Sequence, residues 1–240
     1  ESSVDWSQFT FETPEVLTTK GRKQLRPHQR TALEKVRTGF TTSDRGQLIM
    51  ACGTGKTFTS LRIAEDLVPL GGRVLFLVPS IALLNQSLKE WSTEAEDGLR
   101  TFAVCSDSKV GRTNEDATVV DLAIPATTDP AKLAERATAP SGDPNRRTVV
   151  FATYQSIDVI AKAQKEHGLP AFDLVVCDEA HRTTGVTLAG AEESAFTRVH
   201  DAAYLQATKR LYMTATPRLY DDNSKAKAGQ SNAVLASMDD

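Results

Sequence analysis

A chain of 240 residues with 40 % hydrophobic and 25 % charged side chains can bury a core as one large domain or two small ones, which excludes disorder throughout. Its 28 basic and 31 acidic residues leave a net charge of −3, so any attraction to a polyanion has to be local. The longest aliphatic and aromatic run, Val74 to Val78, falls far short of the roughly 18 to 20 residues of a membrane-spanning helix. Cys52, Cys105 and Cys177 are odd in number and widely spaced, which argues against a disulfide framework and a zinc site and for a reducing, cytoplasmic setting.

In chain order, residues 1–24 form an edge segment in which Trp6, Phe9 and Phe11 are expected to pack on the domain. Phe11 has a second reading, stacking on a nucleotide base. A predicted helix around Gln29 follows. Short apolar runs then alternate with segments of helical period. Strands are predicted at Gln47 to Ala51, Arg73 to Val78, Thr101 to Cys105, Thr148 to Thr153, Leu174 to Cys177 and Arg210 to Thr214. Several lack polar alternation, as strands covered on both faces should.

Thr57 to Val68 places Phe58, Leu61, Ala64 and Val68 on one helical face, and Ser80 to Trp91 does the same with Ile81, Leu84, Leu88 and Trp91. A third helix is predicted from Thr127-Thr128-Asp129-Pro130 to about Ala139, inside an otherwise loop-like stretch from Ser106 to Arg147. Strand and helix in alternation imply an α/β fold with a mostly parallel sheet between two helical layers, and a ligand site outside the carboxyl ends of the strands.

The chemistry clusters at those ends. The strand ending at Ala51 runs into Cys52-Gly53-Thr54-Gly55-Lys56-Thr57 and then a helix. That order suits a triphosphate: Gly53, Thr54 and Gly55 let backbone N–H groups surround it, Lys56 neutralises its oxygens, and the Thr57 hydroxyl can ligate Mg²⁺. The strict phosphate-loop pattern asks for glycine where this chain has Met50. A second apolar strand, beginning at Phe172, ends in Asp178-Glu179-Ala180-His181. There Asp178 suits Mg²⁺ and Glu179 suits activation of a water. His181 reads as a structural histidine or as a relay beside the pair.

These segments resemble the first RecA-like lobe of superfamily-2 helicases and translocases of the DEAH-box kind. Leu25 to Gln29 is similar to the adenine-reading motif, Met50 to Thr57 to motif I, Leu77 to Ser80 to motif Ia, Ala152 to Ser156 to a motif Ib/Ic segment, Asp178 to His181 to motif II, and Thr214 to Pro217 to motif III. More narrowly, Thr127 to Pro130, Asp178 to Gly185 and Leu211 to Arg218 resemble the motor segment of type ISP restriction-modification enzymes and related bacterial helicases.

The resemblance implies a P-loop NTPase of RecA-like, three-layer architecture over residues 25–222, with 223–240 starting a connection to a second lobe beyond this piece. It implies ATP and Mg²⁺ as cofactors and DNA as partner, with nuclease and methyltransferase domains elsewhere in the parent polypeptide. It places Arg26 and Gln29 at the nucleotide, has Lys56, Thr57, Asp178, Glu179 and His181 bind and hydrolyse it, and uses Thr214 and Thr216 to couple hydrolysis to lobe movement.

Ser80, Thr153 and Ser156 would meet the nucleic-acid backbone; read from residues alone, Ser80 and Ser156 sit equally well as helix caps. Arg146-Arg147 and Arg182 are the nearest basic candidates, either for phosphate or as solvated surface. Competing expectations are an RNA or DNA-repair helicase and a nucleotide-gated scaffold that does not hydrolyse. Glu179 argues against the last, because a lobe that only binds needs no water-activating group.

Overall fold

The computed structural model describes residues 22–105, 124–138, 145–183, 185–188, 195–216 and 233–236. Trp6, Phe9 and Phe11, the flanking loops of the 106–147 stretch, Pro217 and most of 223–240 lie outside the described residues.

Five helices, α1 (Pro27–Gly39), α2 (Lys56–Leu67), α3 (Ile81–Glu94), α4 (Pro130–Thr138) and α5 (Ile157–His167), are described along the chain. Interleaved with them are β1 (Arg45–Ile49), β2 (Arg73–Val78), β3 (Leu99–Val104), β4 (Ala126–Thr127), β5 (Arg147–Thr153), β6 (Phe172–Cys177), β7 (Gly185–Leu188), β8 (Ala207–Thr214) and β9 (Ala233–Ala236). Seven strands join in the order β1-β8-β6-β2-β5-β3-β4, and each neighbouring pair is parallel.

Why β2 lacks alternation is visible in its neighbours. Val74, Phe76 and Val78 pack with Phe58 and Leu61 of α2 and Leu84, Leu88 and Trp91 of α3. Leu75 and Leu77 face the opposite way, onto Leu133 of α4 and Ile157 and Ile160 of α5. Successive side chains leave a strand on opposite faces, so a strand sandwiched between helical layers must be apolar at every position. The apolar faces expected for α2 and α3 are both buried. This is the three-layer α/β arrangement with a parallel sheet that the RecA-like resemblance implies.

Local chemistry sets the helix ends. Pro27 opens α1, and Gln29 reaches back so that its Oε1 accepts the Arg26 N–H at 2.9 Å. Ser80 caps α3 by accepting the Leu83 N–H at 3.3 Å. Gly168, with φ +72°, ends α5 in the left-handed region that glycine alone enters without strain.

The structure departs from the sequence expectation in several places. β1 lies at Arg45–Ile49, two residues earlier than predicted, and β8 begins at Ala207 rather than Arg210. In both cases the first residues are polar or small and pair at the sheet margin, where apolar content does not mark them. The short β4 and the antiparallel ribbon of β7 with β9 had no local signal. No helix among the described residues is long and apolar enough to cross a membrane.

Candidate active site

Because the large sheet is parallel, β1, β2, β5, β6 and β8 end at one edge, and every predicted site segment except Arg26-Gln29 hangs from that edge. The glycine loop leaves β1 and enters α2. Gly53 and Gly55 carry φ values of +74° and +86°, which lets the chain curl while Lys56 and Thr57 occupy the first turn of the helix. Met50 stands where the motif asks for glycine, and it causes no conflict. Its N–H still bonds Thr214 O at 3.0 Å, extending the β1–β8 ladder, and its side chain is buried in the core. The curl begins three residues later. Lys56 Nζ rests on Met50 O at 3.5 Å, a long bond that a phosphate oxygen can replace.

At the end of β6, Asp178 is buried, and its N–H is held by Leu77 O at 2.9 Å. Burial is the main reason its carboxyl is pushed up to about 6; the Glu179 N–H bond opposes this, the Glu179 charge reinforces it, and the Lys56 ammonium opposes it. A carboxylate held in this way is relieved by a cation, so the donor set fits a hard ion such as Mg²⁺. The glycine loop after β1 and the acidic pair after β6 leave the same edge of the parallel sheet.

Glu179 is the one non-glycine residue among those described with a left-handed backbone, at φ 50° and ψ 44°. Its N–H donates to Asp178 Oδ1 at 2.9 Å, and its Oε2 lies 3.3 Å from His181 Nδ1. The same imidazole nitrogen is 3.1 Å from Thr214 Oγ1. Thr214 Oγ1 in turn accepts the Thr216 N–H at 3.1 Å. His181 therefore touches both the acidic pair and the end of β8.

Gln29 is buried against the loop, where its Nε2 donates to Thr54 O at 3.1 Å and Gly55 O at 3.4 Å. In this arrangement Gln29 braces the glycine loop. Arg26 is exposed beside it and, with Gln29, Lys23, Gly53, Thr54, Gly55, Phe58 and Glu90, lines a cavity of about 310 Å³. A larger cavity, about 580 Å³, lies between α1 and β1, reaches the loop at Met50, Ala51 and Thr54, and has no carboxylate in its lining.

The expected nucleic-acid contacts also lie along this edge. Ser80 is engaged as the α3 cap. Thr153 and Ser156 are buried and place their hydroxyls 3.1 Å from each other, so the exposed part of that turn is Gln155. Arg147 does not face a phosphate: its guanidinium turns inward to Val68 O at 2.6 Å, Glu65 O at 2.7 Å and Asp97 Oδ2 at 3.0 Å. Arg182 is exposed.

Sequence reasoning missed Tyr154. It is fully buried, and its hydroxyl donates to the carbonyl of Asp178 at 2.9 Å. Nothing in its local pattern marks a phenol that reaches across β2 from the end of β5 to the end of β6.

Comparison with known proteins bears on this site. The family model for the type III restriction enzyme res subunit matches residues 22–219. Among solved structures, the ATP-dependent type ISP restriction-modification enzyme LlaBIII bound to DNA shares 43 % identity with a TM-score of 0.76, covering 99 % of this chain and 15 % of that one. A nuclease-deletion mutant of the type ISP enzyme LlaGI in complex with a DNA substrate mimic also shares 43 % identity, with a TM-score of 0.66 over 82 % of this chain and 18 % of that one. A "Probable helicase" of African swine fever virus (isolate Pig/Kenya/KEN-50/1950) is 32 % identical over 73 % of this chain and 18 % of its own length. The chain thus spans less than a fifth of each of these relatives.

Proposed function

Since the chain belongs to the type III restriction enzyme res subunit family, we propose that it is the ATP-binding motor lobe of a DNA translocase within a restriction-modification or related anti-phage enzyme. The observation that carries this reading is that the glycine loop follows β1 and the acidic pair follows β6 at the same edge of one parallel sheet.

Gly53, Thr54 and Gly55 would offer backbone N–H groups to the phosphates, with Lys56 against the β and γ oxygens. Thr57 and Asp178 would hold Mg²⁺, which when bound neutralises charge developing on the phosphates. Glu179 orients a water and takes its proton. His181, in reach of both Glu179 and Thr214, passes the state of that carboxylate to Thr214 and Thr216. Arg26 borders the cavity in which the base would sit, while Gln29 shapes that cavity by fixing the loop.

DNA would run along the same edge, over the α3 N-terminus at Ser80 and the turn that carries Thr153 and Ser156. The proposed unit is 25–222, with 1–24 leading in and 223–240 leading toward a second RecA-like lobe. Nuclease and methyltransferase domains would belong to the same parent polypeptide. An arginine from a second lobe contributes several orders of magnitude in such motors, so the isolated chain is expected to bind nucleotide weakly and hydrolyse it negligibly.

Duplex-DNA-stimulated ATP hydrolysis by the parent polypeptide tests the reading. Lys56→Ala and Glu179→Gln should each abolish turnover while leaving the far-ultraviolet circular dichroism unchanged, and turnover retained by either variant refutes the site. Stimulation by RNA in place of duplex DNA would move the assignment to an RNA helicase.

A further inference from the structure

The peptide unit joining Asp178 to Glu179 fixes the relative direction of the two carboxylates, because both side chains spring from its ends. Its N–H donates to Asp178 Oδ1 at 2.9 Å. Its C=O accepts the Tyr154 hydroxyl at 2.9 Å. The peptide is therefore gripped on both edges, and it leads into Glu179 with its left-handed φ of 50°, a conformation that a non-glycine side chain keeps only where its surroundings impose it.

We propose that Tyr154 is a positioning residue for ATP hydrolysis: its hydroxyl locks the Asp178–Glu179 peptide so that one carboxylate faces the phosphate loop while the other faces His181. The inference rests on the motor-lobe reading of the same site. Tyr154 suits the task because it is itself immobilised. Its ring is buried and lies 4.9 Å from that of Phe196.

A phenylalanine would fill the same space, which leaves the hydrogen bond as the specific contribution of the tyrosine. The contact also ties β5 to β6 across β2. Movement of the turn Tyr154–Ser156, in which Gln155 is exposed, would be felt directly at the carbonyl of Asp178.

The experiment is steady-state ATP turnover by the parent polypeptide with saturating duplex DNA, resolved into kcat and KM and accompanied by titration with Mg·ADP. Tyr154→Phe is expected to lower kcat about tenfold, as loss of one oriented hydrogen bond to the reacting site would, with KM for ATP and Mg·ADP affinity within twofold of the wild type. A kcat within twofold of wild type overturns the proposal, as does a loss of Mg·ADP affinity that matches the loss of turnover.

Phe196→Leu loosens the ring packing and keeps the hydroxyl. It should lower Tm and retain kcat; a kcat loss equal to that of Tyr154→Phe would assign the effect to packing and overturn the inference. Glu179→Gln in the same assay separates the two levels. Turnover that survives in Glu179→Gln sinks the motor-site reading and this inference with it, whereas a dead Glu179→Gln beside a fully active Tyr154→Phe sinks this inference alone.

Discussion

The buried carboxyl of Asp178 opposes the stability of its own fold. Its carboxyl is pushed up to about 6 from an ordinary 3.8, chiefly by burial. The unfolded chain releases this proton at lower pH than the folded chain does. Between those values the folded state holds more protons, so stability falls as pH rises, and the full penalty applies above about pH 6. A shift of this size corresponds to roughly 3 kcal/mol as an upper figure. Asp178→Asn keeps an oxygen for the Glu179 N–H and removes the charge. With divalent cations chelated, thermal unfolding at pH 8 should show Asp178→Asn more stable than the wild type, and the gap should close toward pH 4. An equal or lower Tm at pH 8 would contradict the burial argument.

The same scale explains what local sequence could reveal. The curl at Gly53 and Gly55 and the placing of Lys56, Asp178 and Glu179 beyond strand ends were legible because glycine and charged residues stand out directly after an apolar run. The bracing by Gln29, the inward turn of Arg147 and the reach of Tyr154 were not, because each depends on a partner between 24 and 82 positions away.

Among the elements, β2 was readable to the residue: an all-apolar run between two turns is what a strand covered on both faces must be. Margins were less legible. At the start of β8, Ala207, Thr208 and Lys209 are only partly buried or exposed, and pairing with β6 holds them where hydrophobicity does not. The start of β5 has a different role. Arg147 bonds Glu65 O and Val68 O at the C-terminal end of α2, satisfying carbonyls that the helix itself leaves open. It thereby ties the helix that follows the glycine loop to the strand that leads to Tyr154. Arg147→Ala removes this clamp and buries unpaired carbonyls, at a cost of about 3 kcal/mol. Chemical denaturation should show that loss, and a change below about 0.5 kcal/mol would remove Arg147 from this role.

At the scale of the molecule, a parallel sheet gathers the ends of non-adjacent strands onto one edge, so residues more than a hundred positions apart can act on one ligand. Lys56 and Asp178 are separated by the whole sequence between α2 and β6, yet they follow β1 and β6 at the same edge of one parallel sheet. This convergence is also why the order of strands and motifs along the chain sufficed to foresee the parallel sheet, while the β7–β9 ribbon, which joins two late segments outside the large sheet, was not foreseen.

The most direct test is a crystal structure of the chain with Mn²⁺ and a non-hydrolysable ATP analogue, located by anomalous scattering. The account expects one manganese peak between Thr57 and Asp178, with the analogue's phosphates against Gly53, Gly55 and Lys56. A metal or triphosphate bound elsewhere, with the loop and the acidic pair left untouched, would contradict it.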